Sequence, residues 1–282
     1  AAITLQALAT DKKGGETYLL KSLIDTGAVD ATKAKNLTEK IENYRALTRA
    51  TDAVDSVSQD TNSLTQARGT VQYAGDTMDV SFDSSTREKI VLRNGKVQLS
   101  SETKITQNGE TTESGTWIKD GWLYLYTKDG GVTAKNKVAV DDSMTDADLA
   151  EVESNQVDKV GLSAIKSISV VKDGLTSYYS VDVDASAAAF LSGILENYVD
   201  EDDKDLTSIE VSDIKVTYTV NGQGVLGAMT TSFRLKIVYA SGEFQGDPMV
   251  MDMKYTVATN ILATGNAVSI TFPDFSDYVI LN

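Results

Sequence analysis

Four Asn-Gly or Asp-Gly pairs, at Asn94-Gly95, Asn108-Gly109, Asp120-Gly121 and Asp129-Gly130, punctuate a stretch in which apolar and polar residues alternate. Such pairs tolerate the positive φ of two-residue hairpin turns, and those turns match the natural twist of the strands they join. A chain spaced in this way is committed to an antiparallel meander with strands of about 6 to 11 residues. Alternation begins with "GTVQYA" at Gly69, so the meander is predicted over 69–140. Turn signals at Asp173-Gly174, Asn221-Gly222, Ser241-Gly242 and Thr264-Gly265 carry the pattern on, and C-terminal strands are predicted over 207–280.

The first quarter has another period. Leu37, Ile41, Tyr44, Leu47 and Val54 recur at steps of three and four, which predicts a helix of about 20 residues capped by Asp30 or Thr32. A shorter helix around Tyr18 to Ile24 should end at Gly27, giving an N-terminal helical segment over 17–57. Two further helical patterns interrupt the strands. One covers about 145–160 and starts at Thr145; the other covers 184–198, starts at Asp184 and sets Phe190, Ile194 and Tyr198 on one face. No Pro-, Gly- or Ser-rich linker divides the chain. The expected fold class is therefore α+β, with 1–282 as one domain built on a sheet of about ten strands carrying helices on one face. Two smaller sheets divided near residue 143 are the alternative.

Histidine and cysteine are both absent. That excludes His-based triads, thiol nucleophiles, iron–sulfur clusters and the usual zinc sites. A pair of carboxylates can still hydrolyse glycosides. With 41 acidic residues and no spacing that singles out two of them, no enzyme is expected. The acidic loop "VDEDDKDL" lacks EF-hand spacing, and "NGQGVLGA" lies between strands rather than opening a helix, so neither a metal nor any other cofactor is expected. A formal charge of -15 opposes nucleic acid and anionic surfaces as partners. No apolar run is long enough to span a bilayer. The opening "AAITLQALAT" has neither an initiator Met nor a charged leader, so a signal peptide is expected to have been removed already, together with any lipid-bearing Cys.

Counting from the Asp120-Gly121 turn puts Trp122, Tyr124 and Tyr126 on one side of a strand and Leu123 and Leu125 on the other. The aromatics either wall a groove or fill a core or outer face. In "DPMVMDMKYTV", Met249, Met251 and Met253 share a face with Tyr255. Methionine is flexible and polarizable and adapts to varied apolar partners, but it also packs ordinary cores.

In order of elements, and in the segments "TWIKDGWLYLYT", "SYYSVDVDASAAAFLSGIL" and "NAVSITFPDFSDYVIL", the chain resembles the LolA-like and LppX-like lipoprotein superfamily, and within it uncharacterised cell-surface lipoproteins of Gram-positive bacteria. The resemblance implies a strongly curved antiparallel sheet, an incomplete barrel, with helices over its concave face. It also implies an extracytoplasmic, lipid-anchored, monomeric protein that touches the membrane only through an N-terminal anchor. A lipid or other apolar small molecule would lie between sheet and helices, and the wall residues would be Trp122, Tyr124, Tyr126, Phe190, Ile194, Met249, Met251 and Met253. The competing expectation is a surface interaction module with a filled core.

Overall fold

The computed structural model describes residues 5–11, 17–55, 58–93, 96–140, 160–184, 206–239 and 248–281. Three helices open the chain: α1 (Leu5–Ala9), α2 (Leu19–Asp25) and α3 (Ala31–Asp55). The meander follows as β1 (Gln59–Tyr73), β2 (Asp76–Arg93), β3 (Lys96–Gln107), β4 (Glu110–Lys119), β5 (Trp122–Asp129) and β6 (Val132–Ala139). Next come β7 (Ile165–Asp173), β8 (Thr176–Val183), β9 (Leu206–Val220), β10 (Leu226–Tyr239), β11 (Met249–Thr264) and a two-residue β12 (Val279–Ile280). The twelve strands form one open sheet in the order β12-β6-β5-β4-β3-β2-β1-β11-β10-β9-β8-β7. Strand β1 joins the two groups by pairing with β2 on one side and β11 on the other. All pairs are antiparallel except β12 with β6. Neighbouring strands rotate by about 20–25° each, so over this many strands the sheet turns through roughly half a turn or more and cannot lie flat.

The turns follow backbone sterics. Asn108-Gly109 and Asp120-Gly121 take positive φ at both residues, as a type I′ turn demands. At the next hairpin the two turn residues are Gly130 and Gly131, one position beyond the expected pair, because Asp129 is still paired with Val132. The Asn94-Gly95 and Ser241-Gly242 turns lie outside the described residues, as do nearly all of the two inserted helices expected at 145–160 and 184–198. Thr264-Gly265 does not start a hairpin. Gly265, at φ 62, leads into a short 3-10 turn and then a largely irregular segment that reaches β12. The strand count of twelve, against about ten expected, includes that short parallel strand, which no turn signal announces.

Helix α3 starts at Asp30, whose carboxylate accepts the backbone N–H of Lys33 at 3.0 Å. Its first half packs Ala34 and Ile41 against α1, α2 and Leu162. Its second half lays Leu47, Ala50 and Val54 on the sheet, against Val181, Val216, Tyr218 and Phe233. The sheet surface on that side is called here the helix face, and its reverse the strap face, after the segment 265–281 that crosses it.

Candidate functional site

The pairing register assigns every strand residue to a face. Phe233, Leu235 and Ile237 lie on the helix face opposite Tyr255, Met253 and Met251, and Met249 follows opposite Tyr239. Ala67, Gly69 and Val71 continue those rows on β1, and Phe82, Val80 and Met78 on β2. Met253 is 3% exposed and lies across Gly69: a Cβ at Gly69 would meet the Met253 sulfur at 2.8 Å and the Asp252 carbonyl oxygen at 2.0 Å. Met249 and Met251 are half-buried. Apolar residues on this face thus continue through β11, β1 and β2, past the strands β7, β9 and β10 that α3 contacts most. Under α3 itself, among Tyr44, Leu47, Val181 and Tyr218, only about 10 Å³ is free.

Trp122, Tyr124 and Tyr126 point the other way. Tyr124 is opposite Trp117 and Tyr126 opposite Gly115, all on the strap face. The chain's own C-terminal segment covers Tyr124, while Tyr126 packs on Trp117 and the Lys137 ammonium lies over the Trp122 ring. Phe275 stacks on Tyr124 with centroids 3.7 Å apart, Tyr278 meets both rings edge-on, and Trp117 packs against Phe275 at 5.8 Å. The segment is tied down at three further points: Gly265 N–H donates to the Ser58 carbonyl, Lys89 reaches the Ser269 carbonyl, and Lys135 pairs with Asp277 at 2.6 Å. The Asp277 hydrogen bond raises the Lys135 pKa, and burial raises that of the Tyr278 phenol. Trp117 Nε1 is buried there without an acceptor among the described residues.

The expected wall residues therefore do not meet. The three aromatics and the three methionines occupy opposite faces, with β1 to β4 between their strands. Phe190 and Ile194 lie outside the described residues. Leu123 and Leu125, not the aromatics, are on the helix face.

A second concavity was not anticipated. On the strap face of β1 and β8–β11 runs an open groove of about 960 Å³ with a polar lining that includes Arg68, Asp182, Lys215, Arg234, Asp252 and Lys254. Arg234 grips both oxygens of Asp252 at 2.7 and 2.6 Å, and Arg68 grips both oxygens of Asp83 at 2.7 and 2.6 Å. Those hydrogen bonds hold the Asp252 and Asp83 carboxyls below the usual range. The polar positions of the alternating strands carried a signal for it, but only the register brings five strands' charges together. Among the described residues no group of three or more acidic side chains is placed to hold a metal ion, and no helix is long and apolar enough to cross a membrane.

No family model matches the chain, and no curated protein does. Solved structures do align with it. LprF from Mycobacterium bovis covers 83% of this chain and 97% of its own at 14% identity, with a TM-score of 0.39. A DUF1329 family protein from Desulfovibrio piger covers 84% and 96% at 12% identity and a TM-score of 0.24. The ywiB protein from Bacillus subtilis covers 74% and 97% at 10% identity and a TM-score of 0.18. Likenesses this distant assign neither a ligand nor a role.

Proposed function

We propose that this chain is a non-catalytic, extracytoplasmic binding protein of the lipoprotein type, which holds a lipid or other apolar ligand against the helix face of its sheet. The observation that carries this is the half-buried apolar surface of Met249, Met251, Val71 and Val80, which continues onto strands that α3 does not chiefly cover. Flexible methionines suit a ligand of variable shape. In this proposal Met251 and Met249 are contact residues, Met253 a packed base beneath them, and Trp122, Tyr124 and Tyr126 take no part.

The experiment is displacement of a fluorescent fatty acid, with native mass spectrometry of the purified chain. Saturable binding weakened by Met251→Lys but not by Tyr124→Leu is expected. A second proposal, a cell-surface interaction module without a small-molecule ligand, is favoured by the interior under α3, where a free volume of about 10 Å³ leaves no room for a lipid chain. Absence of any apolar binding by a chain with native circular dichroism would decide for that module.

A further inference from the structure

In the groove on the strap face, Arg68, Lys254 and Arg234 stand in one row across β1, β11 and β10, each directly opposite the next. Like charges at directly opposed positions work against a sheet. A chain with 41 acidic and 26 basic residues has carboxylates to spare, and the two arginines each have one. Lys254, between them, has no ion pair among the described residues. Arg234 is held in a fixed plane by Nε and Nη2 on the two oxygens of Asp252, so its Nη1 needs no ordering before a ligand arrives; Arg68 spends Nη2 on Asp83 and Nη1 on the Ala67 and Phe82 carbonyls, and brings its charge and Nε to the row.

The groove around the row is shaped by the strands. Between Ser232 and Arg234 the register with β9 slips, and Asp213 takes φ 54. That bulge bends β9 locally. Lys215, opposite Ser232, lies 3.9 Å from Asp182 and adds a fourth cation beside the row. Thr70 and Ser232 add hydroxyls to the lining. The volume of about 960 Å³ is at the upper end of what small-ligand sites occupy.

We propose that this row is an oxyanion site that takes a phosphate group carried on a hydroxyl-rich molecule. Lys254 supplies the central point charge, the two arginines flank it, and the Thr70 and Ser232 hydroxyls meet the polar remainder of the ligand. The site lies on the opposite side of the sheet from the apolar surface and stands or falls independently of it. The phosphate has two sources, a free sugar phosphate or a phospholipid headgroup, and both present the same chemistry to the row.

The test is calorimetric titration of the whole chain at low ionic strength with inorganic phosphate, glucose 6-phosphate and glucose, alongside co-sedimentation with phosphatidylglycerol vesicles. Heat with glucose 6-phosphate but not glucose assigns a soluble ligand, and vesicle binding alone assigns a headgroup; either supports the site provided that Lys254→Gln weakens it. The expected loss in Lys254→Gln is about tenfold or more, with no loss in Lys104→Gln, an exposed lysine on the same face of β3. Lys254 is exposed, so the variant should fold, and relief of like-charge crowding should leave its melting temperature unchanged or slightly higher. Equal binding by Lys254→Gln and the parent, equal binding of glucose, or no binding of any phosphate probe up to about 10 mM would overturn the proposal.

Discussion

The two ends of this sheet solve one problem in opposite ways. From β7 to β10 the apolar residues occupy one face, and a 25-residue helix packs on them. From β4 to β6 the aromatic residues occupy the other face, and a largely irregular C-terminal segment covers those. Between them, from β11 across to β4, the helix face carries a row of hydroxyls, Thr259, Ser63, Thr86, Thr103 and Ser114, each opposite the next, with Oγ pairs 2.9 and 3.0 Å apart at Ser63–Thr259 and Thr86–Thr103. Leu99 and Ile118, opposite each other, are buried exceptions on the helix face, near the start of β3 and the end of β4. The apolar side of the sheet thus changes over across β1 to β3. Strand β2 carries it out, with Val80 and Phe82 on the helix face near its start and buried Val91 on the strap face near its end. A helix suits aliphatic strands because its side chains fill the rows; a chain running across the strands can instead set single flat rings against flat rings.

If the halves differ in this way, truncating a ring should cost most where the cover is a helix. Phe233 is 2% exposed and stacks on Tyr255 at 5.1 Å. Phe233→Ala should lower stability by about 3–5 kcal/mol in urea unfolding. Phe275→Ala, in the half-buried strap, should lose less, about 1–3 kcal/mol, and should shift the tryptophan emission to the red. Equal losses would mean that the strap is as well packed as the helix interface, and the contrast would fail.

The glycines sharpen it. Gly69 lies beneath Met253 and Gly115 beneath Trp117. At Gly69 an added Cβ would lie 2.0 Å from a backbone carbonyl, so Gly69→Ala must shift a strand and should cost about 1–3 kcal/mol or more. At Gly115 the nearest atom, at 2.1 Å, belongs to the Trp117 ring. Gly115→Ala should therefore register mainly as altered tryptophan fluorescence, as the ring and the strap over it give way.

Much of this division could be read in the sequence, but not its geometry. The hairpin turns and the start of α3 at Asp30 follow from local chemistry, because Asn-Gly pairs and an Asp cap act over two or three residues. Strand β1 was predicted to begin at Gly69 but begins at Gln59, because "QDTNSLTQAR" has no apolar alternation to reveal it. Its rows are hydroxyls and amides, stabilised by cross-strand partners more than a hundred residues away, such as Thr259 opposite Ser63. The faces of Trp122, Tyr124 and Tyr126 were correctly separated from those of Leu123 and Leu125. Which set looks toward the helix depends on the pairing of six intervening and flanking strands, and a two-residue period carries no such information.

Alkali should separate the halves more gently. Burial raises the Tyr278 phenol above its ordinary value of 10.0. A folded-state pKa above the unfolded one contributes stability that is complete below pH 10 and is lost as pH rises through the folded value. Tyrosine and tryptophan fluorescence should therefore report loosening of the strap above pH 10, and Tyr278→Phe should remove that dependence. In the helical cluster, burial and the Glu42 charge raise Tyr18 to about 12, so its contribution persists until correspondingly higher pH.

The smallest expected effect asks what holds the strap. Lys135 and Asp277 meet at 2.6 Å, but their side chains are 33% and 59% exposed. In water such a pair gains little, because solvent screens the attraction and ordering two side chains offsets it. If Phe275, Tyr278 and Trp117 secure the strap, Lys135→Ala should lower the melting temperature by about two degrees at most, and added salt should scarcely change it. A loss approaching that of Phe275→Ala would make the strap an electrostatic clasp rather than an aromatic one. It would then open as ionic strength rises, which the helix over the other half has no means to do.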